Sequence, residues 1–211
     1  MREDPDVVRE DPDVVPDRPT VALPAAAYAY LLGMYLGDGH IARRGRSIEL
    51  RIYCDAAYPR IVEEVRTAIR TVRPGANVWS TNRPHARCLV VASGWRAWPA
   101  VIPQNGPGRK HARPIRLAPW QLELTRAEPD QLVRGLLHSD GCRYVARQRC
   151  GDRVYSYVRY PFSNRSDDIR RIFCEHLQLL GIGWTHPSRH GIAIDRRAEV
   201  AKLEEFVGPK R

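Results

Sequence analysis

Paired cysteines, long apolar runs and a secretion signal are all missing from this sequence. Its five cysteines are scattered, and no two of them form a Cys-x-x-C pair. An odd, scattered set argues against a disulfide framework and against a zinc site, so we expect reduced thiols in a cytoplasmic protein. No apolar run approaches the roughly 18–20 residues needed to cross a bilayer, and no apolar core follows Met1. We therefore expect neither membrane insertion nor export.

Acidic residues are scarce outside the N-terminus. Residues 1–18 hold seven acidic residues and three arginines, while the whole chain carries a formal net charge of +10. The remainder is therefore strongly basic, and most of the excess is arginine, which suits bidentate contacts to phosphate and guanine. Such a surface indicates a nucleic acid or another acidic partner. Residues 1–20 are acidic, proline-rich and without apolar periodicity, and we predict a disordered acidic tail there.

Apolar periodicity divides the rest of the chain into two units with the same order of elements, αββαββα. In the first unit, residues 21–119, we predict helices at 25–36, 58–72 and 94–101, and strands at 41–44, 47–54, 77–82 and 86–92. In the second unit, residues 120–211, we predict helices at 129–139, 166–180 and 196–206, and strands at 142–149, 153–161, 183–187 and 191–195. The expected fold class is α+β, with two tandem repeats.

Two landmarks recur at nearly equal spacing in the two units. Residues 31–39 and 133–141 each end in Asp-Gly, with a glycine five residues before the aspartate. Residues 106–110 and 208–210 each begin with Gly-Pro and end with lysine. The distance from Asp38 to Lys110 is 72 residues, and the distance from Asp140 to Lys210 is 70. This agreement indicates an internal repeat rather than two chance turns.

The first landmark places small residues four apart on a predicted helix. Gly33 and Gly37 have this spacing in the first unit, and Gly135 and Ser139 have it in the second. Such a stripe lets another backbone approach closely. Glycine inside a helix costs about 1 kcal/mol relative to alanine, and close packing would offset that loss. We therefore expect the two helices to pack against each other.

That packing would place Asp38 and Asp140 side by side. Each carboxylate opposes the negative end of its helix dipole, and the two repel each other. A divalent cation would relieve both penalties, and oxygen ligands with open water positions suit Mg²⁺ or another divalent cation such as Mn²⁺. Metal-bound water attacks phosphodiesters. We therefore expect a metal-dependent phosphodiesterase site at these aspartates.

Residues 31–39 and 133–141 resemble the two signature motifs of the LAGLIDADG homing-endonuclease family, and residues 162–169 and 179–182 resemble its strand-to-helix passage. The resemblance covers roughly residues 24–211. It implies a pseudo-twofold monomer in which the motif helices form the central interface. It also implies two four-stranded antiparallel sheets that form a saddle in the major groove of double-stranded DNA. The family's function is specific, metal-dependent cleavage of that DNA.

The resemblance also implies roles for individual residues. The last aspartate of each motif binds metal, which maps to Asp38 and Asp140. A basic residue late in each repeat assists at the scissile phosphates, which maps to Lys110 and Lys210. A polar residue on a strand orients the attacking water, and Asn164 fits this role in the second unit.

The sequence departs from the family pattern near the motifs. The position two residues before each metal aspartate, usually acidic or small, holds Leu36 and His138. We interpret His138 and also His40, beside Asp38, as structural. Asp55 is a looser candidate for the water-orienting residue of the first unit.

Arginines on the predicted hairpins form the expected DNA surface. Alternate side chains on a strand face the same way, so we expect a common row among Arg147, Arg149, Arg153 and Arg159. The complete set of candidate DNA contacts is Arg43, Arg44, Arg46, Arg51, Arg143, Arg147, Arg149, Arg153 and Arg159.

Three functions stay open from the sequence alone. The first is an active endonuclease, cytoplasmic and associated with the nucleoid when bound to DNA. The second is a cleavage-inactive protein of the same fold that binds DNA as a transcriptional regulator. The third is a basic α/β module for RNA, although no aromatic RNP-type motif is present and the paired aspartates would then be unexplained.

Overall fold

The computed structural model describes residues 17–82 and 87–207 and shows two similar units. The first consists of α1 (Ala25–Asp38), β1 (Gly39–Arg44), β2 (Ser47–Asp55), α2 (Pro59–Val72), β3 (Val78–Asn82), β4 (Cys88–Gly94) and α3 (Trp98–Val101). A connecting helix, α4 (Pro119–Ala127), follows. The second consists of α5 (Pro129–Asp140), β5 (Tyr144–Cys150), β6 (Arg153–Ser163), α6 (Asp167–Leu179), β7 (Thr185–Ser188), β8 (Gly191–Ile194) and α7 (Arg197–Glu204). The predicted type and order of the elements are confirmed.

Each unit forms a four-stranded antiparallel sheet. The strand order is β1-β2-β4-β3 in the first sheet and β5-β6-β8-β7 in the second. The first hairpin of each sheet turns at a glycine, Gly45 or Gly151, with φ of 55° and 60°. Residues with a Cβ rarely adopt this conformation, and it matches the twist of tight hairpins. The identical strand order confirms an α+β fold built from two tandem repeats.

One face of each sheet packs against helices. In β2, Leu50, Ile52 and Cys54 are buried and alternate with half-buried residues. In the second unit, Phe162 of β6 stacks on Phe173 of α6 with ring centroids 4.2 Å apart. We call the opposite side of each sheet its open face. Strand alternation therefore decides which side chains the open faces carry.

Helix α1 lies at the centre of the molecule. All nine of its residues from 28 to 36 are buried. A helix that is apolar on every side is surrounded by other elements, and α1 packs against α2, α4 and α5. Within residues 17–82 and 87–207, neither this helix nor any other is long and apolar enough to span a membrane.

The sequence did not predict helix α4, because part of its buried face is polar. Gln121 and Thr125, four residues apart, are both fully buried. Gln121 accepts a hydrogen bond from Gln104 at 2.6 Å and donates one to the hydroxyl of Tyr28 at 2.6 Å. Since these bonds satisfy the buried amide, a polar side chain takes a core position. The domain boundary predicted between residues 119 and 120 falls at the start of this helix and stays a prediction.

Candidate active site

Glycines bring the backbones of α1 and α5 into direct contact. A Cβ on Gly33 would lie 2.6 Å from the carbonyl oxygen of Leu132, and a Cβ on Gly135 would overlap the carbonyl oxygen of Tyr30. Real Cβ atoms essentially never come so close to other heavy atoms. The predicted packing of the two helices through small residues is confirmed.

Both helices end at aspartates that line the same pocket of about 480 Å³. Asp38 and Asp140 are the last residues of α1 and α5, and a glycine forms the C-cap of each helix. A Cβ on Gly37 would lie 3.1 Å from Cγ of Asp140, so the end of α1 approaches that carboxylate closely. The structure therefore brings the two predicted aspartates together.

Lys110 reaches this pocket from the loop after α3. Its Nζ donates hydrogen bonds to the carbonyl oxygens of Tyr35, of Leu36 at 3.0 Å and of Gly37 at 3.0 Å. These carbonyls belong to the last turn of α1, where the helix leaves acceptors unpaired and where a cation is favoured by the helix dipole. Lys110 is therefore an ammonium group held at the end of a motif helix.

A buried hydrogen-bond network fixes the loop that carries Lys110. The side chain of Gln104 donates to the carbonyl oxygen of Arg116 at 2.7 Å and to Gln121 of α4 at 2.6 Å. The carbonyl oxygen of Gln104 accepts a hydrogen bond from Arg113 at 2.5 Å. Because both ends of the loop are tied to the core, the lysine has a defined position.

Burial lowers the pKa of Lys110 to about 8, and the negative charges of Asp140 and Asp38 oppose this shift. The charge of Arg113 also lowers the pKa of Lys110, by less than burial does. The side chain is therefore charged at neutral pH and loses its proton as the pH rises through about 8. The ordinary value for lysine is 10.5.

We expect the free energy of unfolding to increase between pH 8 and pH 10 because of Lys110. In that range the unfolded chain still holds the proton that the folded chain has released, so unfolding takes up a proton and becomes less favourable as the pH rises. The expected gain is on the order of 1–3 kcal/mol, since one pKa unit corresponds to about 1.4 kcal/mol. Urea unfolding at pH 7.5, 8.5 and 9.5 measures this increase in the free energy of unfolding. Lys110→Met should lack this increase, and an equal pH dependence in both proteins would refute the assignment.

Asn164 connects Asp140 to the second sheet. Its Nδ2 donates a hydrogen bond to Oδ2 of Asp140 at 2.5 Å, and its Oδ1 accepts one from the backbone N–H of Ser166 at 2.8 Å. Its own backbone N–H donates to the carbonyl oxygen of His190 at 3.1 Å. The amide is therefore held in place and fixes the orientation of the Asp140 carboxylate. The predicted proximity of Asn164 to the site is confirmed, and its effect on water stays a prediction.

In the first unit, the position equivalent to Asn164 is Cys54. The glycine after each motif helix pairs across its hairpin with Ile52 in the first sheet and with Phe162 in the second. Two residues beyond these partners lie Cys54 and Asn164. Cys54 is only 5% exposed, and burial, followed by the charge of Asp38, raises the pKa of its thiol to about 12. The first unit thus has a neutral thiol near Asp38 where the second has an amide.

Asp55 does not occupy that position, so its interpretation as the counterpart of Asn164 is wrong. It is exposed, and its carboxylate accepts a hydrogen bond from the backbone N–H of Ala57 at 2.9 Å. Counting along the sequence could not find Cys54, because the first hairpin of the second unit is longer than that of the first. Only the pairing of the strands aligns the two positions.

No model of a known protein family matches this sequence, and no curated protein matches it. Solved structures do. Mesophilic variants of the homing endonuclease I-DmoI match with a TM-score of 0.55 and 13% identity, over 87% of this chain and 96% of that chain. I-DmoI in complex with DNA and Mn matches with a TM-score of 0.54 and 13% identity, over 89% and 98%. The LAGLIDADG meganuclease I-AabMI bound to uncleaved DNA matches with a TM-score of 0.52 and 12% identity, over 85% of this chain and 82% of that chain.

This chain has the LAGLIDADG meganuclease fold. At these identities the similarity shows the fold alone, and the chemistry has to be argued from the residues in the pocket.

The two aspartates at the centre of the LAGLIDADG fold suit a metal ion that takes only some of its ligands from the protein. Among the described residues, no three His, Cys, Asp or Glu side chains are placed to hold an ion. Mg²⁺ typically binds through one or two carboxylates and completes its octahedron with water and phosphate oxygens. Asp38 and Asp140 fit this mode, because both carboxylates line an open pocket. A closed structural metal site does not fit.

The two histidines near the motifs differ in placement. His138 is buried, with Nδ1 3.1 Å from the hydroxyl of Tyr30 and 3.5 Å from a carboxylate oxygen of Glu64. It is structural, as predicted. His40 is exposed and lines the pocket, and its structural role stays a prediction. Partial burial, followed by the charges of Arg51 and Lys110, lowers the pKa of its ring.

The open face of the first sheet carries fewer unpaired charges than the sequence indicated. Arg51 forms an ion pair with Glu49 at 2.6 Å, and Trp79 beside them is 36% exposed. The groove on this face is lined by Glu49, Arg51, Tyr53, Trp79, Thr81, Val90 and Ala92.

In the second sheet, the four arginines that were expected to include a common row are divided between two faces. The antiparallel register places Arg153 and Arg159 on the open face and places Arg147 and Arg149 on the opposite face. The four arginines therefore form two pairs on opposite faces, because residues of the same parity in β5 and β6 face opposite sides of the sheet.

The remaining arginine candidates are dispersed. Arg43 and Arg46 are exposed at the first hairpin. Arg143 pairs with Glu204 at 2.7 Å, and Arg159 pairs with Asp195 at 3.5 Å. The side chain of Arg44, and all of Lys210, lie outside the described residues.

Proposed function

We propose that this protein is a divalent-metal-dependent endonuclease that cuts double-stranded DNA at a specific site. The observation that carries the proposal is that Asp38, Asp140, Lys110 and Asn164 all line the same pocket. The LAGLIDADG fold supports it, since I-DmoI is a homing endonuclease that has been solved with DNA and Mn.

Each pocket residue has a part in the proposed reaction. Asp38 and Asp140 would hold Mg²⁺ or Mn²⁺, and such an ion supplies an activated water and stabilises the leaving oxygen. Asn164 keeps the Asp140 carboxylate oriented. Lys110 holds a positive charge at a fixed place, which favours the extra negative charge that develops on a phosphate during cleavage. Because one chain contributes both aspartates, we propose that a monomer is sufficient.

The open faces of the two sheets form the proposed DNA surface. Strands of this kind enter the major groove, where arginine reads guanine and also neutralises phosphates. Arg153 lies on the open face at the exposed start of β6, and Tyr155 beside it is 52% exposed. Binding through such residues releases counterions, so affinity should fall steeply with salt.

Replacing Arg153 with glutamine should weaken DNA binding and reduce the slope of log K against log salt by about 1 if it contacts a phosphate. If Arg153 reads a guanine instead, discrimination at one base pair should fall by about 1–3 kcal/mol. Fluorescence anisotropy at several salt concentrations measures both effects. Arg70→Gln is the matched control, because Arg70 is exposed on α2, away from the open faces. Equal losses in the two variants would contradict the proposed surface.

Cleavage of a randomised duplex library, with Mg²⁺ and with EDTA, tests the proposed reaction directly. Metal-dependent cuts at one sequence, absent in Asp38→Asn/Asp140→Asn, are the expected result. The absence of any cut under conditions that give specific binding would refute the nuclease.

A cleavage-inactive DNA-binding protein is the second candidate. It is favoured by Cys54, a buried thiol at the strand position where the second unit has the amide of Asn164. It is also favoured by the engagement of Lys110 with three carbonyl oxygens of α1. Enrichment of one sequence by binding, without cutting, would establish this function.

A further inference from the structure

A cluster of cationic side chains lies at the outer end of the first sheet, away from the central pocket. Arg46 lies in the glycine turn between β1 and β2, Arg73 directly follows α2, and Arg96 lies in the loop after β4. The three arginines line one open pocket of about 710 Å³, together with Ser47 and Trp95. Segments that are far apart in the sequence thus bring three positive charges to one place.

This pocket has no negative charge of its own. Within residues 17–82 and 87–207, the side chains that line it include no aspartate and no glutamate. Cationic groups that share a site repel each other, and an anion placed between them removes this repulsion. Arginine presents its donors in a planar fork that matches the oxygens of a phosphate group. The chemistry of the pocket therefore points to a phosphate ligand.

One wall of the pocket is anchored to the core. The guanidinium of Arg73 donates a hydrogen bond to the carbonyl oxygen of Gly94 and lies 5.6 Å from the ring centroid of Trp95. Trp95 packs edge-on against the buried ring of Trp98, with centroids 5.2 Å apart. The indole N–H of Trp98 donates to the carbonyl oxygen of Ser93 at 2.9 Å. Arg73 is therefore held in place before a ligand arrives, which reduces the entropy lost on binding.

A structural role explains Arg73 and leaves the other two arginines unexplained. Arg73 is the C-cap of α2, where the helix dipole favours a cation, and its side chain ties α2 to β4. Arg46 and Arg96 are exposed, and neither belongs to a helix. Two further cations beside the first add repulsion unless an anion lies between them. The cluster as a whole therefore fits a binding site better than a helix cap.

The position of the pocket identifies the source of the phosphate. Gly94 lines the pocket, and a Cβ on Gly94 would lie 3.8 Å from the ring of Trp79, which lines the groove of the open face. The pocket is therefore continuous with the proposed DNA surface. Tyr53 of β2 lines the central pocket, and Ser47 begins β2 six residues earlier. At about 3.3 Å per residue the cluster lies about 20 Å from the centre, or about six base pairs along a duplex.

We propose that Arg46, Arg73 and Arg96 bind a backbone phosphate of duplex DNA about six base pairs from the centre of the DNA site. The inference rests on the DNA-binding part of the proposed function and does not depend on cleavage. It extends the DNA contact beyond the strands to the segments that follow α2 and β4. Phosphate contacts carry no sequence information directly, so this site holds and orients the outer part of the duplex.

The double variant Arg46→Gln/Arg96→Gln tests the site. Both side chains are exposed, and the contacts of Arg73 with the core are left in place. We expect its affinity for a duplex to fall about tenfold, because charge-assisted hydrogen bonds to the phosphate are lost. The slope of log K against log salt should decrease by about 1, because one phosphate contact is removed. Fluorescence anisotropy with the full chain at several salt concentrations measures both effects.

Arg60→Gln/Arg70→Gln is the matched control, because it removes the same charge from exposed positions of α2. Arg60 lines a pocket with Ala26 at the start of α1, the opposite end of that helix from Asp38. The control should keep the affinity and the salt slope of wild type. Thermal melting of both variants checks that they are folded.

A methylphosphonate scan of the bound duplex locates the contact, since it replaces one charged phosphate at a time with a neutral group. We expect wild type to lose about tenfold in affinity at a phosphate about six base pairs from the centre, on one side. Arg46→Gln/Arg96→Gln should show no further loss at that phosphate, because the contact is already absent.

Three outcomes separate this inference from the proposed function. Equal affinities and salt slopes in the arginine variant and its control, or a full loss at the same phosphate in the arginine variant, would overturn the inference and leave the nuclease intact. Loss of that phosphate effect in the arginine variant of a protein that cuts no DNA would support the inference and refute the nuclease. Failure of the wild-type chain to bind any duplex would overturn both.

Discussion

Replacing Asp38 or Asp140 with asparagine lowers the rate of DNA cleavage by roughly a thousandfold or more and leaves duplex binding within about threefold of wild type. A metal ion stabilises the transition state by several kcal/mol, and each 1.4 kcal/mol is about a factor of ten in rate. Asparagine keeps the size of the side chain and removes the charge that holds the cation. The aspartates lie in the pocket rather than in the groove of the open face, so binding should survive.

Single-turnover cleavage and anisotropy, measured on the same protein samples, separate the two effects. Asp55→Asn is the matched control, because Asp55 is an exposed aspartate at the end of β2 whose carboxylate accepts a hydrogen bond within a local turn. A wild-type cleavage rate in either motif variant would show that the carboxylates do not bind the metal. A large loss of binding would show instead that they shape the DNA surface.

Gly135→Ala should destabilise the protein by about 3 kcal/mol, although alanine is the better helix former. Helix propensity alone predicts a gain of up to about 1 kcal/mol. The new Cβ would overlap the carbonyl oxygen of Tyr30 on α1, and overpacking against a backbone that cannot move typically costs about 1–3 kcal/mol or more. The cost of the steric overlap is larger than the gain in helix propensity, so we expect Gly135→Ala to lower the free energy of unfolding.

Urea unfolding measures this difference. Gly94→Ala is the control, because the nearest heavy atom to its Cβ would be Trp79 at 3.8 Å, an ordinary contact. Its stability should change by less than about 1 kcal/mol. If Gly135→Ala were as stable as wild type, the close approach of α1 and α5 would be wrong, and with it the proximity of the two aspartates.

The sequence was a good guide wherever a pattern was repeated. The two Asp-Gly motifs predicted both central helices, their contact through glycine and the pairing of Asp38 with Asp140. The resemblance to the LAGLIDADG family predicted that Lys110 belongs to the site, and the structure ties its ammonium to the end of α1.

The sequence was a poor guide where two elements had to be aligned in space. Helix α4 was missed because its buried Gln121 is satisfied by Gln104, a residue 17 positions away. The sequence did not show which arginines share a face, because the register of β5 and β6 sets the faces of their side chains. Cys54 was missed because a thiol carries no recognisable signal and the hairpins of the two units differ in length.

The sequence alone determined the type and order of the elements in each repeat, apart from the connecting helix α4, together with the duplication and the identity of the two aspartates, because these depend on periodicity and spacing along the chain. The tertiary structure decided which residue accompanies each aspartate, which arginines share a face and how Lys110 is held. Those outcomes depend on strand register and on hydrogen bonds between distant residues. In an antiparallel sheet, a shift of register by one residue moves every side chain to the other face.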